Sequence, residues 1–244
     1  MATRLKRRPD IAGVQQDEIM DILLTNSWFQ DLPHEIMQKM VSLAIPRRYA
    51  DGEMVHAKFE DAACLHGVAS GSVKISSLSG QGRELVFTFM GPGSWFGHIA
   101  LLDGLSRTHD IRAHGETVLI NISHADFNEL LTESPILYKH FALLLCRLVR
   151  MTFSVLEDNA LLSLQARFAK RLIALTNTYG AQHPSGTMIN LHLSQEDLGM
   201  LVNTSRQSVN KKLMEWQRLG WISMHYGKIL ITNREALEQL YSED

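Results

Sequence analysis

Two cysteines in 244 residues, Cys64 and Cys146, are too few for a disulfide framework or a four-cysteine cluster, and they lack metal-ligand spacing. They read as buried free thiols. Long apolar runs are missing too. Even Phe141 to Leu145 is soon interrupted by Arg147 and Arg150, far short of the roughly 18 residues of a membrane span. An excess of one charge is absent, with 24 Lys and Arg against 26 Asp and Glu. The basic start (Arg4, Lys6, Arg7, Arg8) is followed by no apolar signal-peptide core, which predicts a cytoplasmic location and no membrane association. The histidines form no His-x-His pair with a following glutamate, and no spacing suggests a catalytic triad. No catalytic or metal-ligating residue is therefore assigned, and an enzyme is not expected.

What is present, 45% hydrophobic and 20% charged residues, is the composition of an ordinary globular chain of two modest domains. Residues 1–23 read as a polar arm. From Asn26 to Ser123 short strands alternate with glycine turns: Met54 to Ala57, Cys64 to Ala69, Ser72 to Leu78, then Leu85, Phe87 and Phe89, and finally Ile111 to Ile122 split by Gly115. That pattern predicts an antiparallel roll or barrel over 24–133. Ser123 with Asp126 three residues on starts a helix. In the helix expected over 134–158, Tyr138, Phe141, Leu145, Leu148, Thr152 and Val155 recur at alternating steps of three and four, the seam of a two-helix homodimer. The competing reading is a helix packed on its own domain. A second helix from Leu161 to Tyr179 and a breaker from Gly180 to Gly186 lead into the last part of the 159–244 segment.

That segment carries the clearest chemistry. Ser194, with Asp197 completing a capping box, starts one short helix, and Asn203-Thr204 makes a turn. Ser205 caps a second helix in which Val209, Leu213 and Trp216 share one face and must point at a core. The opposite face carries Arg206, Gln207, Asn210 and Lys211, long side chains suited to base edges. Between Thr204 and Lys228 five basic residues, Lys212 among them, stand against one acid, Glu215. A local patch matters more for reaching phosphates than the net charge does. Ile222 to Met224 and Ile229 to Ile231, around Tyr226-Gly227, read as a wing, and Asn233 begins a closing helix. The bland alternative is two amphipathic helices and a hairpin packed as a small domain. Agreement among the turn, the caps, the charge and the wing favours a helix-turn-helix that binds double-stranded DNA.

Ser205-Arg206-Gln207-Ser208-Val209, followed by Lys211 and Leu213, resembles the recognition helix of the Crp/Fnr (catabolite activator) superfamily. Gly97-His98-Ile99-Ala100-Leu101-Leu102 and Arg107-Thr108 resemble its cyclic-nucleotide-binding roll, so the likeness spans nearly the whole chain. It implies an α+β architecture: an antiparallel jelly-roll-like sensor, a dimerisation helix and a C-terminal winged helix-turn-helix. It also implies a homodimeric transcription regulator, with RNA polymerase as a further partner if it activates. In cAMP-responsive members an arginine, a glutamate and a second basic residue read the half-site, matching Arg206, Gln207 and Lys211 here. Gln207 departs from that pattern and implies a base change, because glutamine pairs best with adenine and glutamate with cytosine.

The resemblance also carries over an effector site: Gly97, His98, Ile99, Arg107 and Thr108 on the roll, Thr152 and Phe153 on the long helix. His98 replaces the glutamate that holds the ribose, His109 follows Arg107-Thr108 in place of alanine, and Phe153 stands where a serine would reach the base. A cyclic nucleotide is therefore disfavoured, and the effector is unknown or absent. Two alternatives stay open, a cAMP- or cGMP-responsive regulator with a modified pocket and a haem-based gas sensor using His98. An iron-sulfur cluster is not implied, since the cysteines for it are missing. Arg107 is read either as a phosphate ligand or as a surface arginine in an ion pair, and His98 and His109 as partly exposed imidazoles filling space.

Overall fold

A computed structural model describes Met20, Asp21, Leu24, residues 32–225 and residues 227–242. The rest of the expected N-terminal arm and Tyr226 of the expected wing lie outside the described residues. The chain divides into two compact units, one taking in the residues up to Ile75 with Phe89–Leu144, the other Ser76–Thr88 and the chain from Leu145 onward.

The first unit holds most of the antiparallel roll. Helix α1 (His34–Leu43) precedes strands β1 (Ile45–Tyr49), β2 (Met54–His56), β3 (Cys64–Leu78), β4 (Glu84–Met90) and β5 (Trp95–Phe96). Helix α2 (His98–Asp103), strand β6 (Asp110–Ser123) and helix α3 (His124–Glu133) follow, before the long helix α4 (Ile136–Leu161). The strands run in the order β1-β6-β3-β4, with β2 on β6 and β5 on β3. Two expected strand pairs turn out continuous, because Gly71 and Gly115 sit at φ of 74° and 73° inside β3 and β6 and kink them without ending them. In β4 the expected face is only partly inward: Phe89 is buried, but Leu85 and Phe87 are exposed and Val86 is buried in their place.

Two apolar layers result. Val68, Val73, Phe96, Ile111 and Leu119 fill the roll. Leu65, Trp95, Ile120 and Ile122 on its other face meet Phe127 and Leu130 of α3 and Phe141 of α4. Ser123 caps α3 by accepting from the Asp126 N–H, as expected. Phe127 and Phe141 meet edge-on with ring centroids 5.2 Å apart. Phe141 is thereby buried in its own unit, which removes it from the expected dimer seam. The residues that α4 leaves exposed or half-exposed at steps of four and three are Tyr138, Ala142, Leu145, Val149, Thr152 and Leu156. Of the expected seam, only Phe141 is taken into the core; Leu148 and Val155 stay half-exposed, as Leu145 does. Both cysteines are free, but Cys146 is exposed on α4 and Cys64 only half-buried, so neither is the buried thiol expected.

In the second unit Ser163 caps α5 (Leu164–Tyr179). Strands β7 (Gly180–His183) and β8 (Gly186–Ile189) form a hairpin where a breaker was expected, its Pro184 and Gly186 lying at the turn. Helices α6 (Gln195–Leu201) and α7 (Arg206–Arg218), strands β9 (Ile222–His225) and β10 (Lys228–Ile231) and helix α8 (Arg234–Ser242) complete it, with sheet order β7-β8-β10-β9. Trp216 of α7 is fully buried against Phe168 of α5, ring centroids 5.1 Å apart. Truncating either aromatic would cost about 3–5 kcal/mol.

Candidate nucleic-acid interface and effector site

Helix α6 begins with the expected capping box. The Ser194 hydroxyl accepts from the Asp197 N–H at 3.0 Å, and the Ser194 N–H donates to the Asp197 carboxylate at 3.2 Å. The turn after α6 is held by the Thr204 N–H donating to the Gly199 carbonyl at 2.8 Å. A side chain at Gly199 would lie 2.8 Å from the Thr204 carbonyl oxygen, so only glycine permits that approach. Asn203 adopts φ of 54°, a left-handed conformation that asparagine tolerates. The Ser205 hydroxyl then caps α7 by accepting from the Ser208 N–H at 3.1 Å.

Val209, Leu213 and Trp216 anchor α7 in the core. Arg206, Gln207, Asn210 and Lys211 are exposed on its other side. Among the described residues, Arg206, Gln207 and Lys211 make no side-chain hydrogen bond or ion pair. The helix thus carries an arginine, a carboxamide and a lysine turned outward and uncommitted. Lys212, expected as a DNA contact, already has partners within its own unit. Its ammonium donates to Gln165 Oε1 at 2.6 Å and to Glu215 Oε2 at 2.9 Å, which ties α7 to the first turn of α5. The reason is phase: position 212 lies on the flank of α7 that meets α5, whereas position 211 lies on the open face. Asn210 is also engaged, accepting from Gln195 Nε2 at 3.0 Å. The wing is the β9–β10 hairpin, with Lys228 donating to Asn190 Oδ1 at 2.5 Å.

The effector residues are arranged differently. Gly97, at φ of 92°, turns the chain into α2, and a side chain there would lie 2.6 Å from Arg107 Nη1. Arg107 is only 3% exposed, and its guanidinium donates to the Gly97 carbonyl at 2.8 Å and the Cys64 carbonyl at 2.6 Å. Its Nε has no partner among the described residues. Arg107 is therefore not in a surface ion pair, and its guanidinium is committed to two backbone carbonyls. It is a buried cation that closes two carbonyls of the roll, and burial depresses its pKa. Its backbone holds the neighbouring loop, accepting from the Phe59 N–H at 2.9 Å and donating to the Glu60 carbonyl at 2.8 Å.

His98 is 6% exposed rather than partly open. Neither ring nitrogen has a partner among the described residues, and the ring stacks on Phe141 with centroids 6.1 Å apart. Burial pulls its pKa down to about 4. Ile99 is half-buried beside it. Thr108 is exposed and paired with its neighbour, its hydroxyl 2.8 Å from His109 Nδ1. On α4 the Thr152 hydroxyl donates back to the Leu148 carbonyl at 2.9 Å, and Phe153 is exposed.

Two further histidines, not singled out by sequence reasoning, complete the roll interior. His56 and His66 lie with ring centroids 5.6 Å apart, and His66 stacks on Phe96 at 5.0 Å. Burial, reinforced by the Arg107 charge, lowers His56 to about 3. Burial lowers His66 to about 4, against the opposing bond of its Nδ1 to Asn121 Oδ1 at 2.8 Å. The available signal was alternation: His66 lies between Leu65 and Gly67, followed by Val68, on an inward-facing strand position. Among the described residues no three or more His, Cys, Asp or Glu side chains form a group able to hold a metal ion. No helix among them is long and apolar enough to cross a membrane.

Two family models match. Residues 46–134 fit the cyclic nucleotide-binding domain and residues 166–240 the Crp-like helix-turn-helix domain. The CRP-like cAMP-activated global transcriptional regulator of Mycobacterium tuberculosis is 28% identical over 217 residues, covering 89% of this chain and 97% of that protein. The cAMP-activated global transcriptional regulator CRP of Haemophilus influenzae is 27% identical over 211 residues, 85% of this chain and 86% of that one. Among solved structures, FixK2 from Bradyrhizobium japonicum shares the fold with a TM-score of 0.72 at 21% identity, over 81% of this chain and 96% of that one. A CRP-family transcriptional regulator from Thermus thermophilus does so with a TM-score of 0.67 at 25% identity, over 80% of this chain and 96% of that one.

Proposed function

This chain belongs to the Crp/Fnr superfamily of transcription regulators, and from that premise we propose that it reads double-stranded DNA through α7 and does so without a cyclic nucleotide. It is a regulator, not an enzyme. The observation that carries the reading is the outward face of α7, where Arg206, Gln207 and Lys211 are exposed and uncommitted while Val209, Leu213 and Trp216 fix the helix. A capped helix presenting such side chains near its N-terminus suits the major groove. Residues 24–133 serve as sensor, 134–158 as dimerisation helix and 159–244 as reader.

Tyr138, Leu145, Leu148, Thr152 and Val155, exposed or half-exposed at steps of three, four and seven, support a parallel homodimer along α4. Two readers so joined address half-sites one helical turn apart, roughly 34 Å. Sedimentation as a dimer tests that part.

For the sensor, the inward commitment of Arg107 to the Gly97 and Cys64 carbonyls disfavours a nucleotide phosphate. The buried His98 offers no acceptor at the surface for a ribose hydroxyl. Haem does not fit His98 either, since its ring is packed over Phe141. A second reading, a cAMP-responsive regulator with a modified pocket, is favoured by the names of the mycobacterial and Haemophilus relatives. It requires Arg107 to release both carbonyls. Gel retardation of DNA selected from a randomised library separates the two. The first reading expects binding that falls steeply with salt and is unchanged by cyclic AMP. Binding that appears only with cyclic AMP would establish the second.

A further inference from the structure

The geometry of α6 and α7 points to Gln195 as a positioning residue that decides which bases Asn210 accepts, an inference that rests on the reading of α7 as the DNA-reading helix. Gln195 is the first residue of α6, immediately after the Ser194 cap. Its Nε2 donates to Asn210 Oδ1 at 3.0 Å across 15 positions of sequence. Asn210 stands one helical turn beyond Arg206 and next to Lys211, on the exposed face of α7.

An unrestrained asparagine offers one acceptor and two donor hydrogens, and the pair of functions matches adenine N6 and N7. With its oxygen engaged by Gln195, Asn210 presents Nδ2 outward and becomes a donor. Guanine O6 and N7 and thymine O4 accept from it. Cytosine N4 confronts it donor to donor, and adenine does so at N6 while accepting only at N7. Gln195 is itself held, because the reciprocal bonds between Ser194 and Asp197 fix the backbone from which it projects. One residue of the first helix thus sets the hydrogen-bonding polarity of a residue of the second. Asn210 is exposed and Gln195 is half-buried outside the apolar core, so substitutions at 195 leave that core untouched.

Selection of bound DNA from a randomised library tests this with the full-length chain, Gln195→Glu, Gln195→Leu and, as a control on the underlying reading, Arg206→Ala. The unaltered protein is expected to select guanine or thymine at the Asn210 position. A carboxylate at 195 only accepts, so Gln195→Glu turns the Asn210 amide around and reverses the preference towards cytosine or adenine, by roughly fivefold. Gln195→Leu frees the amide and flattens the preference. Unchanged base profiles in both Gln195 variants, with Arg206→Ala flattening its own position, would overturn the inference and leave the reading of α7 standing. A cytosine preference of the unaltered protein at that position would overturn the assigned polarity. An unchanged profile for Arg206→Ala would overturn the reading of α7 itself.

Discussion

Arg107 in the roll and Arg206 in the helix-turn-helix carry the same side chain to opposite ends. Arg107 is buried, spends its guanidinium on the carbonyls of Gly97 and Cys64, and sits among imidazoles that burial keeps neutral. Arg206 projects from a capped helix and engages nothing in its own chain among the described residues. A charged side chain committed to backbone acceptors holds a fold together, and one left uncommitted on a rigid helix is available to a partner. The roll has turned Arg107 and His98 of its expected effector site inward, whereas the reader has kept Arg206, Gln207 and Lys211 outward.

The largest expected difference between the two regions is their response to acid. His56, His66 and His98 have folded pKa values of about 3, about 4 and about 4, all below the ordinary 6.5. Below pH 6.5 the unfolded chain takes up protons that the folded roll refuses, so stability is full above that pH and falls as the pH drops towards 4. Each imidazole contributes a slope of up to about 1.4 kcal/mol per pH unit. Amide hydrogen exchange between pH 7 and pH 4.5 should therefore show the roll losing protection before the helix-turn-helix, with His98→Leu reducing the loss. Simultaneous loss in both regions would erase the contrast.

The next effect compares the two arginines directly. Arg107→Ala leaves two buried carbonyls without donors and should destabilise the roll by about 3 kcal/mol in urea unfolding. Arg206→Ala should change stability by less than about 0.5 kcal/mol. Equal losses would mean that Arg206 too is structural. The smallest effect sharpens the boundary between neighbours on α7. Lys211→Ala should lower the salt slope of DNA binding by about 1, the signature of one cation withdrawn from the DNA. Lys212→Ala should leave the slope unchanged, because its ammonium already serves Gln165 and Glu215.

Most of the fold was legible because it depends on local rules. Ser123, Ser194 and Ser205 cap the helices they were expected to cap, and Val209, Leu213 and Trp216 fall inward at helical spacing. What the sequence could not reveal depended on partners distant in the chain. Phe141 and Leu145 stand one turn apart on the same side of one apolar helix, and packing against Phe127 makes Phe141 core while Leu145 stays half-exposed. Arg107 matches a ligand motif, yet its partners are the carbonyls of residues 10 and 43 positions away. Lys211 and Lys212 are indistinguishable in composition and differ by one step of helical phase. Gly180, Pro184 and Gly186 have the composition of a breaker because they punctuate a hairpin whose strands are only four residues each.

Base preference at the Gln207 contact tests the reading of α7 most directly. DNA selected from a randomised library by the full-length chain should carry adenine opposite Gln207. Gln207→Glu should move that preference to cytosine, by about 1–3 kcal/mol, with stability unchanged. An identical selected base in both proteins would contradict the assignment of α7 as the helix that reads the operator.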